Sequence, residues 1–135
     1  MSLQYSVAVR NAKLDAVETA IGASAILKVR TGAPPASCAA ADSGSVLATC
    51  NLPADYMAAA ASGSKAKSGT WEDASADAAG TAGHFRLYAS DGTTCHAQGT
   101  ITATGGGGDM TLDNVVLASG QQFTVTSFTI TAGNA

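Results

Sequence analysis

The imidazole and thiol groups of this chain are those of His84, His96, Cys38, Cys50 and Cys95, and only Cys95 and His96 are neighbours. A cysteine–histidine nucleophile needs the thiol within hydrogen-bond reach of the ring. Adjacent residues on a strand point to opposite faces, which holds this pair apart. A zinc site needs four ligands at a recognisable spacing, such as a paired-cysteine knuckle, and here each cysteine stands alone. Glu72, Asp73 and Asp77 follow Trp71, a combination that suits sugar binding or glycoside hydrolysis. That reaction requires two carboxylates ~5–10 Å apart across a cleft. Aromatics are only 5% of the chain, too few to line one, so a solvated acidic loop beside a core tryptophan is expected. The glycines 105–108 lack the Lys-Ser/Thr pair and following helix of a phosphate loop and read as a turn. Asp109 beside them has no spaced acidic partners to complete the roughly 6–8 oxygens that calcium takes. These residue types therefore predict no catalytic group, no cofactor and no metal.

The cysteine count is odd, so at least one thiol is unpaired or pairs with another chain. Cys50 shares strand parity with Val46, Ala48 and Leu52 and reads as a buried apolar filler. Cys38 and Cys95 fall in loop-like segments and form the candidate disulfide. Such a bond would form only after the chain leaves a reducing cytosol.

The elements that must position these groups are mostly short strands. Leu3, Tyr5, Val7 and Val9 share one face of an extended lead-in. Leu14, Val17 and Ile21 then recur at helical spacing, which predicts a helix over 11–21 with Gly22 as its C-cap. From position 24 the apolar period becomes two. Leu27 and Val29 oppose Lys28 and Arg30 in a strand over 26–32, and Val46, Ala48, Cys50 and Leu52 form the inward row of a strand over 45–52. Residues 54–61 read as a helical turn or short helix anchored by Tyr56 and Met57. Positions 69–71 belong to a strand, and 72–80 to an exposed loop or a short edge connection. Phe85 and Leu87 share a face of the next strand, and Ser90, Asp91 and Gly92 make a hairpin turn. Ile101 and Ala103 lie inward on the strand after it, and Met110 and Leu112 lead another.

Near the C-terminus Phe123 and Val125 have one parity, Phe128 and Ile130 the other. An extra residue near Thr126 or Ser127, a β-bulge, would bring all four to one face. The expected core is Trp71, Phe85, Leu87, Ile101, Leu112, Phe123, Val125, Phe128 and Ile130. Short strands separated by turn signals predict a mainly β fold: one β-sandwich, jelly-roll-like, with a short N-terminal helix. The division is an N-terminal arm and helix over 1–22 and a β-sandwich domain over 23–135.

Composition narrows the partners. The apolar share is 46% but rich in alanine, so the core is expected to be thin. Charged residues are 13%, about half the usual share of ~25%. A net charge of −3 provides no basic footprint for nucleic acid and no polybasic surface for a membrane. No segment approaches the ~20 apolar residues of a transmembrane helix. The N-terminus lacks the charged start and apolar run of a signal peptide, so synthesis in the cytoplasm without general secretion is expected.

Taken together, 27–32 with Pro34 and Pro35, 42–52, 80–88 with Asp91 and Gly92, 108–114 and the ending 123–131 resemble a group of small tailed-phage and prophage virion structural proteins. The resemblance spans nearly the whole chain, and none of its motifs is catalytic. It implies a virion component made in the host cytoplasm. One form is a capsid decoration or cement protein that binds the major capsid protein or other virion proteins and is a homo-oligomer on the particle. The other is a tail- or fibre-associated module recognising a host glycan or another virion protein. The expected contact residues are Leu3, Tyr5, Val7, Val9, Leu14 and Trp71, and in the tail- or fibre-associated form Trp71 and the loop over 72–80 are the contact surface.

Overall fold

Ser6 starts the only helix among the described residues. Its hydroxyl accepts from the Val9 N–H at 3.2 Å, and α1 runs Val7–Ile21. The computed structural model describes residues 3–132. Met1 and Ser2 of the expected arm and 133–135 of the expected sandwich domain lie outside the described residues. The helix thus begins four positions before the expected start, and Val7 and Val9 are helical rather than extended. The alternation through Val9 was misleading because the Ser6 cap lies inside it. Gly22 ends the helix at φ 87°, its N–H bonding Glu18 O at 2.9 Å.

Ten strands follow among the described residues: β1 Ile26–Thr31, β2 Val46–Asn51, β3 Ser64–Ala66, β4 Trp71–Asp73, β5 Gly80–Tyr88, β6 Cys95–Ala103, β7 Met110–Leu112, β8 Val116–Leu117, β9 Phe123–Val125 and β10 Thr129–Thr131. The central sheet has the order β2-β1-β5-β6-β7, with β8 pairing the start of β5. Two ribbons, β3–β10 and β4–β9, stand apart from it. The fold is mainly β with one short helix and a curled sheet.

The register explains which side chains are inside. Leu27 pairs with Cys50 and Leu87, and Val29 with Ala48 and Phe85, so these six share one face. A shift after Val29 sets Arg30 opposite Val46 and leaves Leu47 as the extra residue. Leu47 is therefore buried, and Val46, expected inward, is only half-buried. Likewise Ile101 is buried but Ala103 is exposed at the strand's end. Asp91 closes the β5–β6 turn by accepting from the Thr93 and Thr94 N–H groups.

Strand β7 runs parallel to β6, pairing Ile101 with Met110. Parallel pairs normally need a crossover of about a dozen residues. Here the glycine run makes the return at once. Gly105 and Gly107 have φ of 89° and 81°, and a Cβ at Gly108 would meet Thr102 N at 2.9 Å.

The last strand is two strands. Phe123 and Val125 belong to β9 and pair with β4, whereas Ile130 in β10 pairs with β3. The parity change at Thr126 and Ser127 is real, but the chain switches partner strand there rather than forming a bulge. Residues 54–61 are not helical; Met57 bridges to Lys67 and Ala61 to Ser64. Tyr56 and Met57 are nonetheless buried anchors. Of the expected core, eight members are buried and Ile130 is half-buried. An aromatic chain joins the ribbons to the sheet, with ring centroids 6.3 Å apart for Tyr56–Trp71, 5.7 Å for Trp71–Phe128 and 5.5 Å for Phe128–Phe85.

The helix is bolted to the fold by charge as well as by Leu14 and Ile21. Lys65 on β3 is 2% exposed, and its ammonium donates to Asp15 Oδ1 at 2.8 Å, Glu18 Oε1 at 2.9 Å and Ala58 O at 2.9 Å. Three donors thus meet three acceptors. Burial works against this charge, but the bonds to Asp15 and Glu18 outweigh it and raise the Lys65 pKa. Substituting Asp15→Asn together with Glu18→Gln strands the ammonium. Because the Asp15 side chain is 48% exposed, water discounts the usual buried-pair loss, and a moderate loss of stability is expected. Lys65→Met removes the charge while keeping the volume and should cost clearly less. Urea titration of the two variants checks the order.

Candidate functional site

Strand alternation gives the central sheet a second, polar face. Lys28, Arg86 and Gln98 lie in one row across β1, β5 and β6, and Arg30 and His84 in the next, all opposite the Leu27–Phe85 side. Charged residues at such positions are ordinarily solvated. Here Arg30, His84, Arg86 and Tyr88 are buried, because the proline loop over 33–44 folds back across them.

Arg86 organises this loop. Its Nε donates to Gln98 Oε1 at 3.1 Å, and its Nη1 to Asp42 Oδ1. Its Nη2 lies 3.1, 3.0 and 3.1 Å from the carbonyl oxygens of Ser37, Cys38 and Ala40. Asp42 also accepts from Arg30 Nη2 at 3.0 Å and from the Tyr88 hydroxyl at 2.6 Å. Gln98 Nε2 adds a bond to Pro35 O at 2.6 Å. His84 Nδ1 lies 2.9 Å from Gly32 O. Arg30 Nε and His84 Nε2 are the buried polar atoms without a hydrogen-bond partner among the described residues. All three guanidinium nitrogens of Arg86 are engaged, so this cluster fastens a loop rather than presenting a cation.

The other residues with chemical potential are dispersed. His96 is exposed on β6, whereas Cys95 sits beside Tyr88 under the loop, so the adjacent pair is split as the strand period requires. The segment over 72–80 is less open than expected. Glu72 and Asp73 belong to β4, and Ala76 is buried. Asp73 Oδ2 accepts from Thr49 N at 2.8 Å and Asp77 Oδ2 from Thr49 Oγ1 at 2.8 Å, so two of the acids cover the free edge of β2. Glu72 bonds Gln122 at 3.1 Å. Asp109 is likewise occupied, accepting from Thr100 N at 2.9 Å and Thr100 Oγ1 at 3.0 Å. No group of three or more His, Cys, Asp or Glu side chains comes together to hold a metal ion among the described residues. No described helix is long and apolar enough to cross a membrane.

The expected contact residues separate into two sets. Leu14 and Trp71 are buried against the chain's own core, and the Trp71 Nε1 donates to Tyr56 O at 3.1 Å, which removes both from any outer surface. Leu3, Tyr5, Val7 and Val9 are exposed, Leu3 at 72%. Lys13 Nζ stands 4.6 Å from the Tyr5 ring centroid. An apolar cavity of about 310 Å³ opens between the helix and the sheet, bordered by Val17, Phe85, Leu87, Phe128 and Ile130.

Sequence reasoning missed the Arg86–Asp42 cluster. The available signal was Lys28 and Arg30 alternating with apolar residues, with a lone acid in a neutral loop downstream. The pairing itself joins positions far apart in the chain. No protein-family model, curated protein or solved structure matches this chain.

Proposed function

We propose that this chain is a non-enzymatic virion structural protein, a capsid decoration or cement component that clamps neighbouring capsid subunits through its N-terminal face. The observation that carries this reading is the exposed apolar set of Leu3, ahead of α1, and Val7 and Val9 in its first turn, with the helix anchored to the fold by Lys65. A rigidly mounted helix end with exposed apolar side chains suits contact with another protein, since little ordering is needed on binding. The low charge of the chain limits the desolvation such a contact requires. Its resemblance to small virion proteins supplies the partner, the major capsid protein. The reading includes a jelly-roll-like sandwich, in which the ribbons β3–β10 and β4–β9 form an abbreviated second layer over the central sheet.

The test is a triple substitution, Leu3→Ser with Val7→Ser and Val9→Ser, assayed for binding to particles that lack the protein. These exposed positions should change stability by no more than about 0.5 kcal/mol each. Binding to the particle should fall at least about tenfold, which corresponds to only ~1.4 kcal/mol at the contact. Full occupancy by the variant would exclude this face. A protein found in few copies at the tail, with heat-stable particles that fail to adsorb in its absence, would favour the tail-module reading instead.

A further inference from the structure

The three thiols have sharply different surroundings. Cys50 is fully buried on the core face of β2, and burial, with Asp73, Glu72 and Asp77 nearby, pushes its thiol up to about 12. It is therefore a poor thiolate and out of reach of an oxidant. Cys38 and Cys95 are only half-buried and line one open pocket with Asp42, Arg86, Thr93 and Thr94. Cys38 lies close enough to be among the groups that raise the Cys95 thiol pKa. Both residues are held from behind. Arg86 Nη2 binds Cys38 O at 3.0 Å, and Cys95 is in register with Tyr88 while its thiol donates to Ala97 O at 3.3 Å. Loop and strand thus bring Cys38 and Cys95 to one pocket from anchored backbones, with the third thiol sealed away.

We propose that Cys38 and Cys95 form a redox-closed staple, an intramolecular disulfide that ties the 33–44 loop to β6. The oxidant is a small-molecule disulfide of the glutathione class. One thiolate of the pair attacks it, forming a mixed disulfide and releasing one small thiol. The second protein thiolate then attacks the mixed disulfide, closing the protein bond and releasing the other small thiol. The two protein sulfurs are oxidised, the small disulfide is reduced, and the two protons end on the released thiols. Burial and the neighbouring Cys38 raise the Cys95 thiol to about 11, so closure accelerates as pH rises above neutral.

The full chain is incubated with oxidised glutathione at mildly alkaline pH and then freed of it. Of three thiols, one should remain. The Tm should rise by on the order of 10 °C and return on reduction. Cys38→Ser or Cys95→Ser should abolish the rise, and Cys50→Ser should keep it. Peptide mapping of the oxidised wild-type chain decides the matter should a serine variant fold poorly: a Cys38–Cys95 link supports the staple. A link through Cys50, a persistent mixed disulfide or disulfide-linked dimers would overturn it, as would a Tm rise that survives Cys95→Ser.

Discussion

Replacing Arg86 by methionine is expected to cost roughly 2–3 kcal/mol, although the residue sits far from the aromatic core. The side chain is 2% exposed, whereas the Asp42 side chain is 40% exposed, so water replaces part of what is lost. Removing it strands the carbonyls of Ser37, Cys38 and Ala40 and one oxygen of Asp42 together. A buried polar group left without its partner costs about 1–3 kcal/mol, and some of that is recovered as the loop lifts into solvent. Arg86→Lys should also lose stability, because a single ammonium cannot reproduce the fork that reaches Gln98, Asp42 and the loop at once. Thermal unfolding of the two variants is the measurement, and a Tm within a few degrees of wild type for Arg86→Met would refute the role.

The same cluster carries a pH signature. Burial opposes the charge on Asp42, but the bonds from Tyr88 and Arg86, with Arg30 beside it, outweigh burial and hold its carboxyl below the ordinary aspartate range. A folded-state pKa below the unfolded one gives stability that is present above the unfolded value and lost as pH falls through the folded value. Wild type should therefore lose stability more steeply below about pH 4 than Arg86→Met, whose Asp42 has lost that partner.

The second large effect is expected at Phe128. Phe128→Ala should cost roughly 3–5 kcal/mol. Its ring contacts both Trp71 and Phe85, so one truncation breaks the aromatic chain that joins the β4–β9 ribbon to the central sheet. It also borders the cavity beside α1, so the space vacated adds to a void already present and neighbouring side chains have little reason to collapse into it. Ile130→Ala, at a half-buried position on the same wall, should cost clearly less. Denaturant midpoints for the two variants test the ranking, and equal losses would show that the aromatic chain has no special weight.

Much of this architecture was legible in local pattern. The helical stripe of Leu14, Val17 and Ile21 marked α1, and the two-residue period marked β1, β2, β5 and β6 with their inward residues except Val46 and Ala103. The turn at Asp91 and Gly92 and the glycine return after β6 followed from residue types that tolerate such backbone conformations. These are short-range signals, because each depends on sterics and capping within a few residues. The start of the helix was not legible, since the Ser6 cap interrupts an alternation that reads equally well as extended chain.

Tertiary structure alone decided which polar residues are buried and with whom. Arg30, Arg86 and Lys65 have the local signature of a solvated strand face, and each is enclosed by a segment remote in sequence. The same holds for the strand exchange between β9 and β10, where a parity change in one stretch becomes two pairings with distant partners. It holds again for Cys38 and Cys95, brought together only because Arg86 draws the proline loop across the sheet. Periodicity records which side of an element a residue occupies. It carries no information about what covers that side, because the cover is chosen by the summed packing and hydrogen bonding of the whole chain.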